Sequence, residues 1–214
     1  LRYDSIFTGV ANQNLKYHKD EVESAVGKLK GELIIKYFPT KTASVNTLSA
    51  HLQRMITLGK QVDMVVVDYA DIMKDTSNSK EVRHALGNIY EDLRGLAGEF
   101  QFPIWTASQA NRSALDEDVI EAQKVSESYQ KIMTADFVMS LSRKVEDKVA
   151  NTGRFHVIKN RFGPDGLVYP LFMDTSNVKI EVLEPTGETV NDIVTKTAKE
   201  QAELLKEKYK EFKN

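Results

Sequence analysis

A chain of 214 residues is long enough for one sizeable core, or for a large domain with an appendage. Twenty-nine Lys and Arg against thirty-one Asp and Glu leave a formal charge of −2, which excludes a global basic field and leaves any nucleic-acid contact to local patches. The lack of cysteine excludes disulfides and thiolate zinc sites and fits a reducing, cytoplasmic setting, while His18, His51, His84 and His156 show no metal-ligand spacing.

No run of about eighteen apolar residues and no secretory pattern at the N-terminus are present, so a soluble protein is expected. Leu1 in place of Met suggests a truncated or processed product, and residues 1–17 are too mixed to assign. In chain order, residues 20–30 read as a helix and 32–38 (ELIIKYF) as a strand stopped by Pro39. Ser44 can cap a helix with Val45, Leu48, Leu52, Met55 and Ile56 on one face. The run 62–68 (VDMVVVD) is a buried parallel strand that delivers Asp68 at its carboxyl edge, where open α/β sheets bind ligands and where a Walker-B acid holds magnesium.

A second helix carries Val82, Leu86, Ile89, Leu93, Leu96 and Phe100 at spacings of three and four. Pro103 opens a short strand, 104–107, ending in Ser108 and Gln109. Residues 111–123 form a polar, acidic surface loop, 126–134 a helix and 136–142 a strand. A charged turn at 143–153 then precedes strands 154–159 and 167–173, joined by Gly163-Pro164-Asp165-Gly166, and a last strand spans 178–183. The fold class is therefore α/β, with a mostly parallel sheet built by βαβ crossovers and antiparallel hairpins closing one edge. The division is a domain at 1–187 and a tail at 188–214, where Ala198, Ala202, Leu205, Tyr209 and Phe212 make an amphipathic helix that either packs on its own domain or docks a partner.

Three strand ends should then aim polar groups at one sheet edge: Asp68, then Ser108 with Gln109, then Lys159 with Arg161. A phosphoryl-transfer site needs those types, namely a carboxylate for magnesium, an amide that senses the terminal phosphate or orients water, and cations for developing charge. Taken singly, each has a plainer explanation: a solvated loop amide for Gln109, a turn residue for Arg161, a hairpin lysine with its stem on the sheet for Lys159.

Four segments, VVVDYADIM (65–73), TASQANR (106–112), ADFVMSLSR (135–143) and IKNRFGPDG (158–166), resemble in order and spacing the later motifs of DnaB-type replicative helicases, especially phage ones. The resemblance covers roughly 62–182. It implies a RecA-like core in a hexameric ring that consumes ATP with Mg2+ to move on single-stranded DNA and part the duplex. Primase or a helicase loader would be partners, in the cytoplasm of a bacterial or phage-infected cell. By the same resemblance Asp68 is the magnesium-binding acid, with Ser108 beside the nucleotide. Gln109 couples the γ-phosphate to the DNA loops. Arg161 is the arginine finger and Lys159 its companion, both serving a nucleotide on the neighbouring subunit, where a planar guanidinium suits bidentate phosphate contact.

The sequence also departs from that pattern. No G-x-x-x-x-G-K-[ST] occurs, so the phosphate cradle and its lysine are missing, and the family's catalytic glutamate would precede Leu1. The expectation is the C-terminal part of a motor domain, inactive alone. For DNA, the two loops that face the ring's channel in the family offer Lys74, Lys80 and Arg83, then Arg112, Lys124 and Lys131, with Ser126, Glu127 and Ser128 standing where the family often has Arg-Glu-Ser. Asp116, Glu117, Asp118 and Glu121 oppose backbone binding there. Two alternatives stay open: a recombinase or clock-type ATPase on the same core, and a non-catalytic module that joins a ring or recruits a partner.

Overall fold

The computed structural model describes residues 19–20, 23–24, 26–77, 79–110, 119 and 129–184. The predicted tail helix and nearly all of the acidic loop lie outside the described residues. Of the first predicted helix, the described part ends at Val26, with Gly27 and Lys28 in a turn.

Helix α1 (Val45–Thr57) begins where Ser44 was expected to cap it. The Ser44 Oγ accepts from the Thr47 N–H at 3.2 Å, and the Ser44 N–H donates to Thr47 Oγ1 at 3.3 Å. This reciprocal pair satisfies two amides that the helix itself leaves unbonded. Strand β1 (Val65–Val67), a 3-10 turn at Ala70–Ile72, helix α2 (Val82–Phe100) and strand β2 (Ile104–Thr106) follow. β1 and β2 pair in parallel with Val67 opposite Thr106.

One face of this pair holds Val65, Val67 and Ile104 against a core of Leu52, Ala70, Ile89, Leu93, Leu96 and Phe102. The opposite face leaves Val66 and Trp105 exposed. Of the predicted α2 stripe, Leu86, Ile89, Leu93 and Leu96 are buried, and only Val82, in the first turn, faces solvent.

The second half comprises α3 (Gln130–Thr134), β3 (Phe137–Ser142), α4 (Val145–Ala150), β4 (Thr152–Asn160), β5 (Val168–Asp174) and β6 (Lys179–Val182). These strands form a four-stranded antiparallel sheet in the order β3-β4-β5-β6. At the β4–β5 connection Gly166 takes φ +74° and donates its N–H to the Val157 carbonyl at 2.8 Å, a backbone that favours glycine.

Three expectations are corrected. The sheet is not mostly parallel: among the described residues one parallel pair stands beside a larger antiparallel sheet. The charged turn at 143–153 contains α4, whose start is held by the Asp147 carboxylate accepting the Lys144 N–H at 2.8 Å. Residues 32–38 run extended without joining a ladder, and Leu33, Ile35 and Tyr37 stay exposed. β-propensity there meets no neighbouring strand to take its amides, and propensity alone does not make a strand. The segment is tied only near its ends, by Lys60 on Glu32 at 2.7 Å and by the Lys41 N–H on the Ile72 carbonyl at 2.9 Å.

Leu171 on β5 is 1% exposed, the most enclosed large side chain described. Leu171→Ala is expected to lower unfolding stability by about 2–5 kcal/mol through lost burial and the cavity left behind. Urea denaturation checks this, and a loss under about 1 kcal/mol would contradict the packing of β5.

Candidate functional site

The parallel register sets Asp68 and the segment 107–109 at the same end of β1 and β2. Thr106 braces that end: its Oγ1 donates to the Val67 carbonyl at 2.9 Å and accepts the Ala70 N–H at 2.9 Å, bridging the turn that carries Asp68 and Tyr69. Asp68 is exposed and makes no hydrogen bond or ion pair among the described residues. Gln109, also exposed, donates from Nε2 to the Tyr69 hydroxyl at 3.3 Å. The fold thus brings these two sequence-predicted residues to one edge. A lone solvated carboxylate fits Mg2+, which keeps several waters and takes one or two carboxylates with substrate phosphates. No cluster of three His, Cys, Asp or Glu that would hold a metal by itself exists among the described residues.

Ser108 faces a network that sequence reasoning missed. Asp71 Oδ1 accepts from the Tyr90 hydroxyl at 2.9 Å and from Lys131 Nζ at 2.8 Å. Asp71 Oδ2 accepts from Ser108 Oγ at 3.1 Å, and Lys131 Nζ donates to that same Oγ at 3.1 Å. The Lys131 ammonium also lies 5.5 Å from the Tyr90 ring centroid, within cation–π range. Lys131 is 3% exposed and Asp71 15%. Burial, and then the Asp71 charge, push the Tyr90 hydroxyl far above its ordinary range, so it remains a protonated donor. The expectation that Lys131 is a DNA-facing cation is therefore corrected, because its charge is enclosed and consumed within the subunit. The only sequence signal for the network was Tyr90 beside Ile89 on the buried stripe of α2, together with Asp71 three residues past Asp68.

Lys159 and Arg161 do not share the Asp68 edge. They lie at the end of β4, which runs antiparallel to β3, with Lys159 opposite Val138 at the start of β3. This corrects the picture of three strand ends on one parallel sheet. Lys159 Nζ donates to the carbonyls of Ile132, Met133 and Ala135 at 2.8, 2.8 and 2.7 Å. An ammonium has three protons, so all are used, and they satisfy carbonyls that the end of α3 leaves free. Desolvation, followed by the Arg161 charge, holds the Lys159 ammonium below the usual lysine range. Arg161 donates from Nη1 to Asp136 Oδ1 at 3.0 Å and from Nη2 to the Met133 carbonyl at 3.3 Å. Arg94 of α2 bonds the same carboxylate through Nη2 at 3.0 Å and Nε at 3.3 Å.

Of the DNA candidates, Lys74, Lys80 and Arg83 are exposed, the last two flanking the start of α2. Arg112, Lys124, Ser126, Glu127 and Ser128 lie outside the described residues.

Comparison with known proteins agrees with this layout. Residues 6–179 match the model of the DnaB-like helicase C terminal domain. A DnaB-like replicative helicase of Enterobacteria phage T4 is 31% identical over 137 residues, which is 62% of this chain and 29% of the phage protein. The chain thus spans under a third of that relative's length. Among solved structures, a helicase ATPase domain superimposes with a TM-score of 0.59 at 20% identity, covering 66% of this chain and 52% of that one. A DnaB-like replicative helicase, whose structure was solved to describe its interactions with primase, gives 0.58 at 20% identity over 66% and 36% of the two chains. Both share the fold, that of RecA-like helicase ATPase domains. By the extent of the family match, the chain belongs to the DnaB-like helicase C terminal domain family.

Proposed function

We propose that this chain is the C-terminal part of the motor of an ATP-dependent replicative DNA helicase, which works as a hexameric ring, moves on single-stranded DNA and parts the duplex. The observation that carries the reading is the β1/β2 edge, where an exposed carboxylate without an ion-pair partner, Asp68, stands beside an exposed amide, Gln109. Those are the groups that a magnesium-bound triphosphate requires.

In this reading Asp68 holds Mg2+ with ATP, and Gln109 senses the γ-phosphate. Arg161 is presented to a nucleotide on the next subunit, where its fork suits phosphate oxygens. Lys159, its protons committed to three carbonyls, acts first as the brace beside Arg161. Lys74, Lys80 and Arg83 supply surface cations for DNA, and Arg112, Lys124, Ser126, Glu127 and Ser128 belong to the second DNA loop. The motor portion spans 1–187, with 188–214 as a helical tail, and primase or a loader is the outside partner in the cytoplasm. Among the described residues no helix is long and apolar enough to cross a membrane.

Two outcomes test the reading. The 214-residue chain alone, lacking a P-loop motif, is expected to release no phosphate from ATP with or without single-stranded DNA. Sustained turnover by the purified chain would contradict the assignment. Joined to a P-loop-bearing N-terminal segment, the protein should show DNA-stimulated ATPase that Arg161→Ala lowers by about a thousandfold or more while nucleotide binding survives. Mixed rings of Arg161→Ala and Asp68→Asn subunits should recover part of the activity, whereas full turnover by Arg161→Ala alone would remove Arg161 from the mechanism.

A further inference from the structure

The five-residue helix α3 is bonded at its two ends to two different places. Near its start, Lys131 Nζ reaches Asp71 at 2.8 Å and Ser108 at 3.1 Å, both at the edge that bears Asp68 and Gln109. Gln130 adds a bond from Nε2 to Glu91 Oε1 at 2.7 Å, and it crosses α2 so closely at Gly87 that a Cβ there would meet it at 2.3 Å. Past its end, the carbonyls of Ile132, Met133 and Ala135 receive all three Lys159 protons, while Met133 and Asp136 receive Arg161. The side-chain bonds of Lys159 and Arg161 thus all end on residues 132–136. Whatever displaces α3 displaces both.

We infer that Lys131 is a positioning residue that relays the state of the Ser108/Gln109 edge, through α3, to the Lys159/Arg161 pair. The inference rests on the proposed reading only for what the relay is used for, namely tying a subunit's own nucleotide edge to the arginine it offers its neighbour. The input is Ser108, the exposed member of the network, which accepts from Lys131 and donates to Asp71. A ligand or Gln109 movement that draws Ser108 away changes the acceptors of a buried ammonium. Such an ammonium cannot exchange them for water, so it must shift with its helix. The output is the set of carbonyls on which Lys159 is seated. A lysine serves this purpose better than a neutral side chain, because its enclosed charge couples strongly to any change in Asp71 or Ser108.

The test needs no nucleotide. In the 15N-labelled 214-residue chain near pH 6, a side-chain ammonium with all three protons bonded exchanges slowly with water. It is observable by NMR, and loss of the signal in Lys159→Met assigns it. Ser108→Ala, at an exposed position that threatens the fold least, should raise Lys159 ammonium exchange about threefold, and Lys131→Met about tenfold or to loss of the signal. The β4–β5 amides, such as Val157 on the Leu167 carbonyl, should stay protected in both. A merely local structural role for Lys131 would leave Lys159 exchange unmoved. An unchanged Lys159 signal in Ser108→Ala overturns the relay, whatever becomes of Lys131→Met. Failure here would leave the ATPase reading intact, and failure of that reading would leave a measured link from Ser108 to Lys159 standing.

Discussion

A lysine ammonium that is 3% exposed has to be neutralised on the spot, and the Asp71–Lys131 pair meets that need between residues sixty positions apart. Desolvating two charges costs several kcal/mol each, and their attraction offsets it only when the remaining lone pairs and protons are satisfied. Tyr90 and Ser108 provide that satisfaction, so Asp71 accepts from three donors while the Tyr90 ring faces the ammonium. The pair adds little net stability over a well-packed apolar substitute, yet it is directional. It fixes α3 against β1, β2 and α2 in a way that apolar contacts, which tolerate sliding, do not. Thr106 does the corresponding work one turn away, holding the Val67–Ala70 turn so that Asp71 points inward while Asp68 points to solvent.

What could be read from sequence divides along the range of the interaction. The α2 stripe, the Ser44 cap and the Gly163–Gly166 hairpin are local patterns, and each was found where expected. Asp68 and Gln109 were legible because a strand end and a parallel register place them, and both follow from short apolar runs. Lys131 was not, since its neighbours are polar and its partner is remote, and a charge match across such a separation leaves no periodic trace. The strand expected at 32–38 failed for the converse reason, because local propensity was present and the neighbouring ladder was not. The placement of Lys159 and Arg161 was misjudged because a run of strands does not itself reveal where parallel pairing gives way to antiparallel.

Family membership then changes what these details mean. In isolation, an exposed aspartate at a strand end is unremarkable; in a DnaB-like helicase C terminal domain, with an exposed glutamine one strand over, it is a place for a metal-bound phosphate. The same context gives significance to the uncovered Val66 and Trp105 face. Parallel strands are ordinarily buried on both sides, so this face of the β1–β2 pair is the less finished one.

The two cationic sites differ in a way that suits different tasks. Lys131 is enclosed, whereas Arg161 is 43% exposed, and its Asp136 partner is shared with a half-exposed Arg94. Surface pairs of this kind are worth about 0–1 kcal/mol, so Arg161 is held in position without being trapped there. A phosphate group offers a guanidinium a stronger, bidentate partner than a shared carboxylate does, and Asp136 would not be left unpaired, because Arg94 remains on it. Arg161 can therefore leave at low cost, while Lys159 stays seated on its three carbonyls. The arrangement separates a fixed part, Lys131 through α3 to Lys159, from a releasable one, Arg161, and the fixed part sets the point from which the releasable part starts.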